Sequence, residues 1–200
     1  MKILFAFISV FIFSLSSVAQ ITKGIWLVGG FGSFYSYNED YSTPTYSQTA
    51  KIRIIDISAS VGYFFVDKFA AGLRPYLSTY NSKVTRTSVG GGAPTYGFQI
   101  AIGPFARYYF LNKEKPFNIL ADIGYQFGVN KIQKTSEKGN FNTFSVMGGT
   151  EVFFNSTASI EILLGYRQRI ESIENSPGAY NRNKKGLQAS IGFTLHLEKL

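Results

Sequence analysis

The feature that most constrains this chain is a two-residue alternation of apolar and polar side chains, repeated between connectors that are by turns short and long. In the last such stretch Leu187, Ala189, Ile191, Phe193, Leu195 and Leu197 share one parity, and Gln188, Ser190, Gly192, Thr194 and His196 share the other. Successive side chains of a strand point to opposite faces, so each stretch has one oily and one wet side. Eight strands follow, at about 24–37, 51–65, 69–81, 96–110, 117–129, 142–154, 158–171 and 186–197. The short connectors are Val66-Asp67-Lys68, Leu111 to Pro116 and Asn155-Ser156-Thr157. The long polar ones are Asn38 to Ala50, Ser82 to Thr95, Asn130 to Phe141 and Ser172 to Lys185. Strict alternation of the two kinds puts all short turns at one end of an antiparallel sheet. The expected fold is all-β, an eight-stranded antiparallel up-and-down barrel that crosses a membrane with both termini on the short-turn side.

Residues 1–19 read as a secretory leader: Lys2, then an apolar run from Ile3 to Phe13, then Ser17 and Ala19 spaced for signal peptidase. The run is too short for the roughly 20 residues of a spanning helix. Cleavage near Ala19 leaves residues 20–200 as one barrel domain. The chain has no cysteine, hence neither a lipid-attachment thiol nor a disulfide. Its net charge of +8 would suit nucleic acid, but export argues against that partner and makes anionic lipopolysaccharide the nearer polyanion.

A soluble lipocalin-like barrel would show the same alternation turned inside out. Three features favour the membrane. The polar parity is filled by small residues such as Ser58, Ser60, Gly62, Gly72, Gly103, Gly124, Gly149 and Gly165; a narrow lumen needs them to admit Tyr76 or Phe105 opposite, whereas a water-facing wall would carry many Lys and Glu. Aromatics crowd the strand ends beside the short turns, at Tyr63-Phe64-Phe65, Tyr108-Tyr109-Phe110 and Phe153-Phe154, as an interfacial girdle would. The mid-strand charges share the polar parity and nearly balance: Asp56, Asp122, Glu151 and Glu161 against Arg74, Arg107, Arg167 and Arg169. These are expected to form a lumenal ion-pair network, since the planar guanidinium fork suits buried bidentate pairing. The alternative is that they line a wet pore. Glu151 and Glu161, adjacent at similar depth, need neutralising across the lumen by Arg74 or Arg107. Pro75 and Pro104 lack the N–H of a closed ladder, so β-bulges are expected there.

The segments Gly62-Tyr63-Phe64-Phe65-Val66-Asp67-Lys68-Phe69-Ala70-Ala71-Gly72-Leu73 and Gly103-Pro104-Phe105-Ala106-Arg107-Tyr108-Tyr109-Phe110 resemble the small eight-stranded outer-membrane β-barrel family, the porin-like or OmpA/OmpX-like transmembrane domains. The resemblance covers the mature chain through weak repeated patterns with no catalytic fingerprint. It implies residence in the outer membrane of a Gram-negative bacterium. The last strand looks like the signal read by the barrel-assembly machinery, with Ser190, Gly192, Leu195 and Leu197; such families usually end on an aromatic residue, and here Glu198-Lys199-Leu200 follow. A wall tether of the full OmpA type is not expected.

Chemistry is sparse. His196, the single histidine, is expected to be a lumenal structural residue without a serine–acid partner. There is no His/Cys cluster for a transition metal, and no cofactor is expected. Glu39-Asp40 is more readily a solvated loop pair than a calcium site, and Gly90-Gly91-Gly92 lacks the Lys-Ser/Thr of a phosphate cradle. Asn155-Ser156-Thr157 matches a glycosylation pattern but reads as turn chemistry. Lys131, Lys134 and Lys138 in the third long connector and Arg182, Lys184 and Lys185 in the fourth are cation clusters suited to lipopolysaccharide phosphates, or simply solvated loop charges. The reading is a monomeric, non-enzymatic barrel with a plugged interior, serving membrane integrity and loop-mediated binding. A narrow channel for small solutes and a lipid A-modifying enzyme are the alternatives.

Overall fold

The computed structural model describes residues 21–42, 47–87, 94–112, 114–132, 138–174 and 180–198. The segment read as a leader and its expected cleavage near Ala19 lie outside them, as do Lys134 and the Gly90–Gly92 run. The described chain is all-β, with ten strands: β1 Trp26–Ser42, β2 Ser47–Val66, β3 Phe69–Leu73, β4 Tyr76–Thr87, β5 Thr95–Ile102, β6 Pro104–Tyr109, β7 Phe117–Ile132, β8 Lys138–Phe153, β9 Ala158–Glu174 and β10 Tyr180–Leu197. All pairings are antiparallel, and β1 pairs with both β2 and β10, so the sheet closes on itself. Both β3 and β4 pair with β2, and both β5 and β6 pair with β7. Each of these couples is one spanning strand cut in two, which makes eight staves.

The cuts fall at Arg74-Pro75 and at Gly103, and they correct the expected bulges. A bulge inserts a residue and shifts the register. Here the register carries through unchanged: Val61 faces Leu73 and Ser58 faces Tyr76, while Phe105 faces Gly124 and Ile102 faces Phe127. Parity is thereby preserved, so Arg74 and Arg107 both stay inside. The backbone around the prolines stays bonded: Pro75 O accepts from Ala59 N at 3.0 Å, Arg74 N donates to Gly103 O at 2.8 Å, and Gln126 Nε2 donates to Arg74 O at 2.8 Å. Only glycine fits at 103, because a Cβ would overlap the Tyr125 carbonyl oxygen. True register shifts occur elsewhere, at Phe64/Val66 and at Thr49/Ala50.

The strands run well past the predicted ends. β2 has 20 residues, where roughly 9–11 suffice to cross a bilayer. Most of the long connectors are therefore paired hairpin rather than loop, as in β1–β2, which stays in register to Ser42↔Ser47. Their Ser, Thr and Tyr residues are good strand formers, and polar on both faces they give no period to read.

Facing follows the alternation. Ile55, Ile57, Val61, Ile100, Ile102, Ile119, Ile123, Ile162, Leu164 and Ile191 form an exposed apolar wall, far beyond the patches a soluble monomer tolerates. The aromatic girdle needs correction, because the triplets also alternate: Phe65, Tyr108 and Phe110 point outward, while Phe64, Tyr109 and Phe153 are fully buried inside. With Leu27 and Leu120 they make an apolar floor at the short-turn end. Ile21 and Ile25 complete it from a segment folded beneath the barrel, held by Lys68 N to Ile21 O at 2.9 Å and Lys23 N to Asp67 Oδ1 at 2.8 Å. Gly24, at φ +95°, permits the fold-back. Asn155 Oδ1 accepts from Thr157 N and Ala158 N, which is turn chemistry within Asn155-Ser156-Thr157.

Candidate functional site

Because β-strand parity puts every second residue inside, the lumen collects the small and charged side chains of all eight staves. Directly above the apolar floor sits Arg107, from β6, with its side chain almost wholly buried. Its Nε donates to Asp122 Oδ2 at 3.0 Å and its Nη1 to Glu161 Oε2 at 2.5 Å, with Glu151 Oε2 at 3.9 Å. Asp122 lies opposite Arg107 in the ladder, whereas the two glutamates reach it across the barrel from β8 and β9. Arg74 binds Asp122 with both terminal nitrogens, at 2.9 and 2.8 Å, and donates Nε to Ser60 Oγ at 3.0 Å. Its guanidinium also stacks 4.5 Å from the centre of the Phe105 ring. Glu151 and Glu161 do face each other in register. Glu161 takes Arg107, and Glu151 is held by Tyr109 Oη at 2.6 Å, by the Ser159 hydroxyl and by His196 Nε2 at 2.7 Å. Each acid thus accepts several donors, which offsets the cost of burying it.

Other expected members lie apart from this cluster. Among the described residues Asp56 pairs with no arginine: it accepts from Tyr76 Oη at 2.9 Å and Ser33 Oγ at 3.4 Å. Arg169 stacks on Phe141 at 3.6 Å, donates to Gln99 Oε1 at 2.9 Å and pairs with Glu171 at 2.8 Å. Arg167 lies 5.7 Å from the Tyr76 ring centre, and among the described residues no carboxylate comes within ion-pair distance of it. Glu171 is a buried acid that the sequence reading passed over at a strand end; its signal was the shared parity with Arg169. It also draws in Lys184 at 3.2 Å and Arg182 at 3.9 Å. These two cations stand on β10, not in a loop, and face the lumen rim. Lys185 sits on the outward parity and is exposed, as is Lys131. Lys138 begins β8. In the assembly-signal segment Gly192 opposes Glu161 and Ser190 opposes Leu163, with Leu195 and Leu197 on the outward parity.

Between Arg107 and the Tyr76 level the lumen narrows to a cavity of about 40 Å³, lined by Arg74, Gln126, Thr143 and Arg167 among others, enough for a water or so. Beyond Tyr76 and Arg169, toward the long-connector end, it widens to a vestibule of about 650 Å³ bordered by Tyr37, Asp56, Gln99 and Glu171. The Arg169–Phe141 stack between the two depends on Gly128, where a Cβ would overlap the tip of the Phe141 ring. Gly128→Ala is expected to cost about 1–3 kcal/mol by overpacking, read as a lowered urea midpoint of the refolded protein.

Ser159, Glu151 and His196 meet in one buried group, so the histidine does have an acid and a serine near it. The acid lies in the middle, bonded to both. Nucleophilic activation needs the base against the hydroxyl. His196 instead packs among Phe64, Tyr109 and Phe153, a structural setting.

A family model described as outer membrane protein beta-barrel domain matches residues 5–195. No curated protein matches the chain. Among solved structures, the crystal structure of the outer membrane protein OprG from Pseudomonas aeruginosa is similar, with a TM-score of 0.56 and 16% identity over 90% of this chain and 100% of that one. At that identity the likeness is one of fold.

Proposed function

The chain belongs to the outer membrane protein β-barrel domain family, and from that premise we propose that it is a monomeric, non-enzymatic barrel of the Gram-negative outer membrane that contributes to membrane integrity and binds partners at its outer end. The observation that carries this reading is the Arg107 cluster, where acids from β7, β8 and β9 converge on one guanidinium across the lumen. The apolar floor below it and the narrowness of the cavity above, about 40 Å³, favour a sealed barrel over a narrow pore. The position of Glu151 between Ser159 and His196 favours a structural over a catalytic use of that group. Residues 1–19 serve as the cleaved export leader. Ser190, Gly192, Leu195 and Leu197 engage the assembly machinery, Lys131 and Lys185 meet lipopolysaccharide from the rim, and Lys134 and Lys138 are further lipopolysaccharide contacts.

The test is conductance of the refolded protein in planar bilayers. No resolvable steps are expected in molar salt; regular steps would establish the channel reading instead.

A further inference from the structure

The wall is not equally closed all round. β1 pairs with β2 along its whole length, from Trp26↔Tyr63 to Ser42↔Ser47, and β10 pairs with β9 from Tyr180↔Ile173 to Leu195↔Ala158. The β1–β10 seam, in contrast, is laddered only from Trp26↔Leu197 to Gly30↔Phe193. Beyond that point both strands continue with one edge unpaired. The gap leaves clear marks: Leu187 is 94% exposed, Tyr35 is 53% exposed although its parity is inward, and nothing lies within 4 Å of a Cβ placed on Gly186.

The side chains at the gap are of one sign. A hollow of about 390 Å³ there is bordered by Tyr35, Leu187, Arg167, Arg169, Lys184 and Lys185, with no acid on its wall. Glu171, behind the wall, pairs with Arg169 and Lys184. Arg167 meets only the Tyr76 ring among the described residues, and Lys185 is exposed. The outward residues on either side, Phe34, Leu187 and Ile191, are exposed and apolar, while Lys184 and Lys185 continue β10 toward the long-connector end, so the gap joins an apolar wall to a cationic rim. Unpaired strand edges and a cation without a counter-ion are both costly there. A single kind of occupant removes both costs.

We infer that this open stretch of the seam holds the phosphate-bearing head of an anionic lipid from the outer leaflet. The phosphate oxygens accept from Arg167, Lys185 and the free backbone N–H groups of the two edges, and the acyl chains lie along Phe34, Leu187 and Ile191. Several cations gathered around one head favour phosphate over a single carboxylate. The site differs from the loop contacts proposed above, since it needs the gap and an arginine of the lumenal parity.

The experiment refolds the full chain into phosphatidylcholine vesicles doped with phosphatidic acid and counts retained lipid by native mass spectrometry. Wild type is expected to keep one phosphatidic acid. Arg167→Gln with Lys185→Gln should lower that retention roughly thirtyfold, the effect of two cations beside an anionic headgroup, while Lys115→Gln at the short-turn end should leave it unchanged. Folding of each variant is read independently from its heat-dependent gel shift. Equal retention by the double variant would overturn the assignment, and so would displacement of the lipid by inorganic phosphate at matched concentration, which would mark a site for the ion alone. A second measurement addresses the gap itself. Continued from Gly30↔Phe193, the ladder would set Tyr35 opposite Gln188; cysteines at these two positions should fail to cross-link under oxidation, whereas cysteines at Val28 and Leu195, which are paired, should do so. Ready cross-linking at 35 and 188 would show a closed seam and remove the site.

Discussion

Arg107→Met is expected to destabilise the refolded barrel by about 3–5 kcal/mol, the usual cost of removing one partner from a buried ionic cluster. The loss should fall unevenly on its three acids. Asp122 keeps both terminal nitrogens of Arg74, and Glu151 keeps Tyr109, Ser159 and His196. Among the described residues Glu161 loses its only cation and retains the Thr194 hydroxyl at 3.4 Å. The double variant Arg107→Met with Glu161→Gln should therefore recover much of the loss, because it removes the stranded charge along with its partner. Arg107→Lys should recover less, since one ammonium cannot fork between Asp122 and Glu161 as the guanidinium does. Urea titration, with folded fraction read from unheated gel migration, measures all three. A single-variant cost below about 1 kcal/mol, the range of an exposed ion pair, would mean that the lumen is open to water.

What was legible in the sequence is what depends on parity. Side-chain alternation needs no knowledge of neighbours, so Ile55, Ile123 and Ile191 could be set outside, and Arg74 and Asp122 inside, from spacing alone. Which arginine meets which acid depends on the stagger of the staves, and no single strand encodes it. Asp56 shows the consequence: it carries the right charge on the right parity, yet the stagger puts the Tyr76 hydroxyl beside it instead of a guanidinium. The same holds for the seam, where nothing in β1 or β10 alone says that they part company beyond Gly30 and Phe193. Pro75 and Pro104 announced a break in the ladder, but not that Gln126 would reach over from β7 to donate to the carbonyl of Arg74. The floor was missed for another reason. Ile21 precedes the first alternating stretch and Ile25 stands at its very edge, so only the fold-back at Gly24 gives them a place.

Ile123→Arg tests the facing of the whole wall, and is expected to cost about 2–4 kcal/mol, the penalty for arginine at the bilayer midplane. Ile123 stands at the centre of an outward row on β7 running from Phe117 through Ile119 to Phe127 and Val129. Its ladder neighbours are Ala106 on β6 and Val146 on β8, neither of which can accept a hydrogen bond through its side chain. A guanidinium there must snorkel past aromatic rings to reach water. Leu187→Arg, on the same face but within three residues of Lys184 and Lys185 toward the long-connector end of β10, should cost only about 0–1 kcal/mol. The contrast between the two variants separates depth from the mere presence of a charge. Measured in vesicles, equal stabilities for Ile123→Arg and wild type would place this row against water, and the apolar parity with it. The expected gradient from position 123 to position 187 requires that hydrocarbon covers the wall on which both residues lie, and that the Arg107 cluster one side chain away from Ile123, at Asp122, is screened from it by nothing thicker than the backbone of β7.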